Sequence, residues 1–294
     1  MKKITFIILS ILIILYFILT PQAAVTASQK GIMTWWEIVF PTLFPCILKS
    51  NLLINTNALS NINNEKTLKL IIIICGLMLG FPIGAKLTSE FYKKNYICKK
   101  DAQILCAFTN NISPAYVGSI VVTQTLGKPE WLFLTYLILY FPSVFFCVLQ
   151  LLKNNQKSKK AASRFQLNMQ IIDAGIISGF ETLIRLCGYI TLFSIIVSIV
   201  QTLLHNSKVI IYTTGLLEIT NGISVINQYP LHFVEKYLLL ILFLSFGGLS
   251  FLFQTKTIIH STDLSFKKYI VHKILSSIMS LSTAILILFF FRII

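Results

Sequence analysis

Charged side chains are scarce in this sequence, and acidic ones are the scarcest. They make up 12% of the residues, with ten Asp and Glu against 25 Lys and Arg. A soluble domain of ordinary composition carries about twice that share of charge. Because hydrophobic residues reach 55% and the mean hydropathy is +0.79, a soluble globular protein is excluded. The composition predicts an all-α, polytopic membrane protein.

The sequence also lacks the residue groupings that metal, redox and hydrolytic sites need. Its six Cys residues are scattered, and no pair has metal-binding or redox spacing. The four His residues fall at predicted helix ends or in loops. No G-x-S-x-G motif is present, and no span places a His near a Ser motif. We therefore expect no cofactor, no metal ion and no enzymatic activity.

The excess of basic residues does not point to nucleic acid. The net charge is +15, but the Lys and Arg residues lie in short loops between apolar runs, which is typical of the cytoplasmic loops of membrane proteins. A nucleic-acid-binding domain would carry them as a patch or stripe on one face. The predicted partner is the lipid bilayer, with no nucleic acid.

The N-terminus has the pattern of a targeting segment. Lys2 and Lys3 precede an apolar run at residues 4–20, and the small-residue stretch AAVTAS follows. Residues 1–30 are predicted to be a signal anchor or a cleavable signal peptide, because the length of the run fits both. Either one directs residues 21–30 to the outer side of the membrane.

Two motifs interrupt apolar runs where a membrane span should be continuous, GFPIGAK from Gly80 and FTNNISPAYVG from Phe108. Proline removes a backbone donor and obstructs the carbonyl one turn back, and free backbone groups in hydrocarbon must find a partner. We interpret the motifs as a broken-helix site near mid-membrane. The alternative is an ordinary pair of kinked helices packed through small residues. The predicted breaks, including one in the second half, are Gly80, Pro82, Gly84, Pro114 and Gly222.

The two halves of the chain resemble each other weakly. Aligning Gly31 with Gly175 brings Glu37 against Glu181. Each half then has a Glu-bearing segment, a Gly-broken segment and a second broken segment, in the same order. Chance similarity among apolar helices is the alternative. The predicted organisation is a first repeat at 31–152, a basic cytoplasmic connector at 153–173 and a second repeat at 174–294.

Loop charge indicates how the two repeats are oriented. Basic residues cluster at 93–100, 153–164 and 263–268. If every apolar segment crossed the membrane, the first and last clusters would lie outside, against the positive-inside bias. If 31–54 and 175–203 are re-entrant hairpins, all three clusters lie inside. The charge pattern thus predicts an inverted repeat of broken helices with two re-entrant hairpins and about seven crossing helices. The predicted hairpin turns are Pro41, Pro45 and Gly188.

Several segments resemble the YlbJ-type sporulation integral membrane proteins, which carry a nucleoside-recognition Gate domain. The segments are KGIMTWWEIVFPTLFPCILKSNLL, GFPIGAKLTSEF and AFTNNISPAYVGSIVV, and the resemblance is strongest over residues 30–126. It continues through GLLEITNGI and SFGGLSFLFQ towards the C-terminus. One departure is Phe81, where the family usually has Asn. The resemblance implies a protein made during sporulation in a bacterial spore former.

The resemblance also implies a substrate, dipicolinic acid, moved out of the mother cell across the outer forespore membrane. Dipicolinate is a flat dianion, so its site needs cations or helix N-termini with donors spaced for two carboxylates. The predicted substrate-binding residues are Lys86, Asn110, Asn111, Ser113, Arg185, Gly247, Gly248 and Gln254. For Lys86 the alternative is a side chain that reaches to the membrane interface. For Arg185 it is a structural ion pair with Glu181.

Three carboxylates lie inside apolar segments, where charge is expensive. Each is a candidate for ion coupling, with a hydrogen-bonded packing role as the alternative: Glu37, Glu181 and Glu218. In an inverted repeat, Glu37 and Glu181 are expected on the two sides of one central site. Because Glu37 has no basic residue at helical spacing, it is the predicted titrating group.

The functional prediction is a sporulation membrane transporter for a small carboxylate, dipicolinate in first place, located in the bacterial cell membrane or the outer forespore membrane. A proton or a cation is the expected coupling partner. Two alternatives stay open: a Gate-type transporter for a nucleoside or another small solute, and a non-transporting assembly subunit of the sporulation membrane. The oligomeric state stays open as well.

Overall fold

The computed structural model describes residues 2–59, 62, 64–154, 156, 165–204 and 208–291. Within these ranges all regular secondary structure is helical, which confirms the predicted all-α class. Two π-helical stretches, Trp35–Val39 and Val117–Leu126, and a short 3-10 turn at Pro129–Trp131 accompany the α-helices. The α-helices are α1 Lys2–Leu19, α2 Pro21–Thr34, α3 Phe40–Asn55, α4 Glu65–Leu79, α5 Ile83–Lys93, α6 Lys99–Thr109, α7 Pro114–Tyr116, α8 Leu132–Leu152, α9 Met169–Leu204, α10 Val209–Leu217, α11 Ile219–Ile226, α12 Phe233–Phe246, α13 Gly248–Ile259 and α14 Phe266–Phe290.

Six helical segments in the described part of the chain are long and apolar enough to cross a membrane. Each has at least 24 residues, and a span needs about 20. The protein is therefore a polytopic integral membrane protein. The six segments are Pro21–Asn55, Lys99–Leu126, Pro129–Leu152, Met169–Leu204, Phe233–Ile259 and Phe266–Phe290.

The two segments predicted to be re-entrant hairpins, 31–54 and 175–203, are continuous helices instead. The prolines of the first do not break it, because Pro41 falls in the first turn of α3, where no backbone donor is needed. The π-helical stretch before α3 accommodates Pro41, since the Phe40 amide donates to the Trp35 carbonyl five residues back. Pro45 lies inside α3 and Gly188 inside α9, and neither forms a turn.

These two long segments pack against each other in antiparallel orientation. A Cβ atom at Gly31 would lie 2.7 Å from the Cα of Thr191, and one at Gly175 would touch Leu52. The first residues of one helix thus contact the last residues of the other. The small residues that look like a signal-peptide cleavage region belong to this contact, because Ala24 and Ala27 are buried beside α9.

The re-entrant hairpins of the structure lie elsewhere. The first hairpin is α4 and α5, and both of its arms pass the end of α6: Cβ atoms at Gly76 and at Gly84 would both overlap Thr109. The second hairpin is α10 and α11, where a Cβ at Gly222 would overlap the Cα of Gly215. The arms have 15, 11, 9 and 8 residues, and each is too short to cross alone.

The predicted breaks are largely confirmed. Gly80, with φ of +72°, ends α4, and Pro82 precedes α5. Pro114 starts α7 after the four-residue break that ends at Ser113. Two breaks were predicted too far along the chain, because Gly84 lies in the first turn of α5 and Gly222 lies inside α11. At both positions glycine permits close packing of helix against backbone.

The second half of the chain repeats the order of the first with inverted orientation. A long helix is followed by a hairpin, a broken crossing helix and a straight crossing helix, first in α2 to α8 and again in α9 to α14. Because the two long helices are antiparallel, the halves enter the membrane from opposite sides. The order and orientation of these elements agree with the predicted inverted repeat. Its second repeat was predicted from residue 174, and the helix that opens this half begins at Met169.

The basic loops meet at one end of the molecule, which we name the basic end. Asp263 accepts a hydrogen bond from Lys99 Nζ at 2.6 Å and one from the Tyr92 hydroxyl at 2.7 Å. These two bonds hold the pKa of the Asp263 carboxyl below its usual value. The prediction that loops 93–100 and 263–268 share one side is confirmed.

The connector between the halves starts and ends at the same basic end. Asn154 donates from Nδ2 to Asp101 at 2.6 Å, and the amide of Gln166 donates to the Thr56 carbonyl at 3.0 Å. The basic residues at 157–164 lie outside the described residues. Since both flanks are fixed at the basic end, the connector is expected to share the side of the other two loops.

Cysteine labelling in sealed cells tests this topology. We expect single cysteines at Asn95 and Ser265, in a chain without its own cysteines, to resist a membrane-impermeant maleimide added from outside, because their loops face the cytoplasm. A cysteine at Asn227, at the opposite end, should react and serves as the positive control. Labelling at only one of the two basic-end sites would contradict the inverted repeat.

Candidate solute pathway

An inner cavity of about 350 Å³ lies where the tips of the two hairpins approach each other. Phe81 comes from the tip of the first hairpin, and Glu218 to Thr220 come from the tip of the second. Ser113 and Gly247, one from each helix break, complete this part of the wall. The predicted central site is therefore a cavity between half-helices, as in broken-helix transporters.

A second cavity of about 320 Å³ adjoins the first, and we name it the charged vestibule. It is lined by Lys86 and Lys93 of α5, by Arg185 of α9 and by His260 after α13. His260 and Lys93 lie at the basic end, so the vestibule faces that end. The two cavities share two lining residues, Leu186 and Gln254.

Lys86 links the first hairpin to α9. Its ammonium donates to the hydroxyl of Thr182 at 3.0 Å and to that of Ser178 at 3.4 Å. It is therefore held inside the vestibule rather than extended towards the interface. Two hydroxyl acceptors leave its positive charge without a carboxylate partner, so the charge is available to an anion.

Arg185 and Glu181 line the vestibule together with Lys86 but do not form the ion pair that their spacing suggests. Both side chains, which the structure describes, are exposed. Arg185 is thus a second free cation of the vestibule. Glu181 lies in the vestibule and Glu37 in the inner cavity, so the prediction of one site between these two glutamates is wrong.

Glu218 caps the tip of the second hairpin. Its carboxylate accepts hydrogen bonds from the backbone and side chain of Thr220 and from those of Asn221, at 2.5 to 3.1 Å. The side chain is 3% exposed. A carboxylate that accepts from the first amides of a helix caps that helix and fixes its start. Glu218 therefore supports the packing role rather than ion coupling.

Glu37 differs from Glu218 in having no such partners. It lies in the π-helical stretch between α2 and α3 and lines the inner cavity. No hydrogen bond or ion pair joins it to another described residue. The titratable groups that line the cavity with it are Glu218 and Tyr116. Glu37 is thus the carboxylate of the inner cavity that has no hydrogen-bond or ion-pair partner among the described residues.

Apart from Lys86 and Arg185, which line the vestibule, the predicted substrate-binding residues separate into two groups. Ser113, Gly247 and Gln254 line the inner cavity. Asn110 and Asn111 do not, because both are buried in the break that follows α6. Gly248, with φ of +79°, packs against the carbonyls at the end of α10. Asn110, Asn111 and Gly248 therefore shape the two helix breaks and do not line the inner cavity.

The two asparagines hold the break together. Asn110 donates from Nδ2 to the Thr255 hydroxyl at 3.0 Å and to the Tyr269 hydroxyl at 3.1 Å. The Asn111 carbonyl accepts from the amide of Phe81, at the tip of the first hairpin, at 2.6 Å. Backbone groups freed by the break are thus satisfied inside the protein, as hydrocarbon requires.

Lys273 of α14 is a residue that the sequence analysis missed. It is completely buried, and its ammonium donates to the Asn111 side chain at 2.7 Å and to the Asn110 carbonyl at 3.1 Å. In the sequence it follows the basic loop at 267–268 and looks like another loop lysine. One pattern in the sequence could have indicated its burial. Lys273 shares a helix face with three serines that are buried: Ser276, Ser277 and Ser280.

A cluster of possible metal ligands at the basic end is already neutralised. Glu65, Cys98 and Asp101 bring ligand atoms within 4.8 Å of one another. The ammonium of Lys69 forms an ion pair with Asp101 and another, at 3.2 Å, with Glu65. The lysine thus supplies the positive charge that these carboxylates need.

The chain is similar to one curated sporulation protein over most of its length. It is 24% identical to the "Sporulation integral membrane protein YlbJ" of Bacillus subtilis (strain 168). The alignment of 315 residues covers 88% of this chain and 76% of that protein. No protein-family model and no solved structure matches the chain. This similarity confirms the predicted resemblance to the YlbJ-type sporulation integral membrane proteins, and the six apolar spans agree with it.

Proposed function

We propose that the protein is a transporter that moves a small carboxylate, dipicolinate in first place, from the mother cell across the outer forespore membrane. The observation that carries the proposal is the pair of cavities that meet at Leu186 and Gln254, between hairpins that enter from opposite ends. An assembly subunit needs packed helices but no pair of adjoining cavities.

Charge along this pathway favours an anion that arrives from the basic end. The vestibule presents the free cations Lys86 and Arg185, which form charge-assisted hydrogen bonds with carboxylates. The inner cavity is lined, in the described part of the chain, by no basic residue. A carboxylate that moves from the vestibule into the inner cavity therefore loses its contacts with Lys86 and Arg185 and approaches Glu37. This movement is easier when one carboxyl group is protonated, either on the solute or on Glu37.

The size of the cavities agrees with a small solute. Each has a volume of about 320 to 350 Å³, at the lower limit of small-molecule sites, which are roughly 300 Å³ and above. Phe81 and Phe251, with ring centroids 4.0 Å apart, and Tyr116 give the inner cavity flat apolar surfaces. A planar aromatic acid fits this combination of surfaces.

Flux into vesicles tests the proposal directly. The purified protein is reconstituted in liposomes, and uptake of labelled dipicolinate is compared with uptake of a nucleoside and with empty liposomes. We expect saturable dipicolinate uptake that unlabelled dipicolinate abolishes. Nucleoside uptake alone would support the nucleoside alternative, and no uptake of either solute would support an assembly subunit.

The free carboxylate of Glu37 predicts a pH dependence of transport. We expect uptake to depend on pH, because the anion has to pass the Glu37 carboxyl in the inner cavity. Glu37→Gln should remove this dependence or abolish uptake. Uptake between pH 5.5 and 8 at matched protein level measures it, and Glu130→Gln, in the loop before α8, is the control. Identical pH profiles for wild type and Glu37→Gln would leave Glu37 with a packing role.

A further inference from the structure

The ammonium of Lys273 is buried, and both of its hydrogen-bond acceptors among the described residues are oxygen atoms. Its two acceptors are the Asn111 side chain at 2.7 Å and the Asn110 carbonyl at 3.1 Å. The ring of Phe251 lies 5.2 Å from the nitrogen and presents a third, weaker electron-rich surface. No carboxylate in the described part of the chain forms an ion pair with it.

These surroundings have the chemistry of a monovalent cation site. Asn110 follows the last residue of α6, so its carbonyl lies at the negative end of a half-helix. Unwound carbonyls and C-terminal ends of half-helices are the groups that coordinate cations in broken-helix transporters. Carbonyl and amide oxygens are also the ligands that hard cations prefer.

The inverted repeat shows that a lysine is not required to build such a break. The corresponding break of the second half, at Gly247, is formed by two glycines with positive φ. The straight helix that corresponds to α14 is α8, and its sequence contains no Lys or Arg. The buried cation is thus present in only one of the two halves.

The position of Lys273 also connects α14 to the first hairpin. Asn111 accepts from Lys273 through its side chain and from the Phe81 amide through its carbonyl, at 2.7 and 2.6 Å. Phe81 lines the inner cavity. Two hydrogen bonds, both to Asn111, thus connect the ammonium to Phe81. Through them Lys273 positions the hairpin tip that forms one wall of the inner cavity.

We propose that Lys273 is a tethered cation: its ammonium occupies a monovalent cation site at the break between α6 and α7 and replaces a bound inorganic ion there. The break stays ordered whatever the ionic composition of the surroundings. Removal of the side chain leaves an empty site with the same oxygen ligands, and a small cation binds in it.

Thermal unfolding of Lys273→Ala in different salts tests the proposal. The detergent-purified variant is melted in NaCl and in choline chloride at equal ionic strength, since choline is too large for the site. We expect Tm of the variant in choline to be about 5 °C or more below that of the wild type, and Na⁺ to restore most of the difference in a saturable manner. Wild type and Lys267→Ala, an exposed lysine of the same helix, should melt alike in both salts.

Two results with folded Lys273→Ala would overturn the proposal. They are a variant as stable as the wild type in choline and a variant destabilised equally in both salts. Lys273→Ser is measured in parallel, because its hydroxyl adds an oxygen ligand to the empty site. If Lys273→Ala does not fold but Lys273→Ser does, the response of the serine variant to Na⁺ decides, and failure of both to fold rejects the tethered cation.

Discussion

Gly222→Ala is expected to leave almost no folded protein. A Cβ at this position would overlap the Cα of Gly215 on the other arm of the second hairpin. Overpacking a core costs about 1–3 kcal/mol when side chains can move aside. Here the obstacle is backbone, and Gly215 is itself confined, since its own Cβ position is filled by the ring of Phe243. We expect a loss above about 3 kcal/mol, which would remove much of the stability of an ordinary domain.

Gly188→Ala is the matched control for this prediction. Gly188 also lies inside a helix, but a Cβ there would meet no atom. Alanine at such a position stabilises a helix by about 0.5–1 kcal/mol. The yield of monodisperse protein in detergent and its Tm measure both variants. A Gly222→Ala protein with wild-type yield and Tm would show that the arms of the second hairpin do not pack as closely as described.

The vestibule cations give the second large prediction. Lys86→Gln and Arg185→Gln together are expected to reduce dipicolinate uptake by at least about 100-fold, because each charge-assisted contact is worth about 1.5–3 kcal/mol. Each single variant should lose about tenfold or more. The loss should be mainly in KM if the vestibule binds the solute before it reaches the inner cavity.

The control must separate loss of an anion site from loss of net charge. Lys30→Gln removes an exposed lysine of α2 outside both cavities and should transport normally. Lys86→Gln also removes the bonds to Thr182 and Ser178, so protein level and Tm are measured alongside uptake. Wild-type uptake in the double variant would exclude the vestibule as the anion site, and a parallel fall in Tm would assign Lys86 to helix packing.

The helix breaks could be predicted from the sequence because their causes are local. Gly80 is needed for its positive φ, and Pro114 for the first turn of a helix that restarts after four unwound residues. The orientation of the halves could be predicted as well, because the positive-inside bias depends on loop charge alone. Both signals lie in short stretches of chain.

The hairpins were placed on the wrong segments because the deciding contacts are not local. Pro41 and Pro45 suggested a turn, but a π-helical stretch accommodates the first and α3 continues through the second. The true first hairpin reads as one apolar run that ends in a break. Both arms contact Thr109, at the end of α6. This contact shows that the chain turns at the hairpin tip and returns to the basic end.

The candidate site was predicted in part for the same reason. Lys86, Arg185 and Glu37 were found because charge inside an apolar run is conspicuous. Lys273 was missed because its acceptors, Asn110 and Asn111, lie 163 and 162 positions away in the sequence. No periodicity or spacing rule connects residues so far apart.

The two hairpin tips depend on different parts of the chain, and this difference has a consequence for biogenesis. The second tip is capped by Glu218, which binds amides only two and three residues ahead. Its polar groups are therefore satisfied as soon as the ribosome has released that short stretch. The first tip relies on Asn111 to accept from the Phe81 amide, and Asn111 belongs to a helix made later. An unpaired amide in lipid costs several kcal/mol, so the first hairpin enters the membrane together with the helix that follows it, and the second hairpin enters by itself.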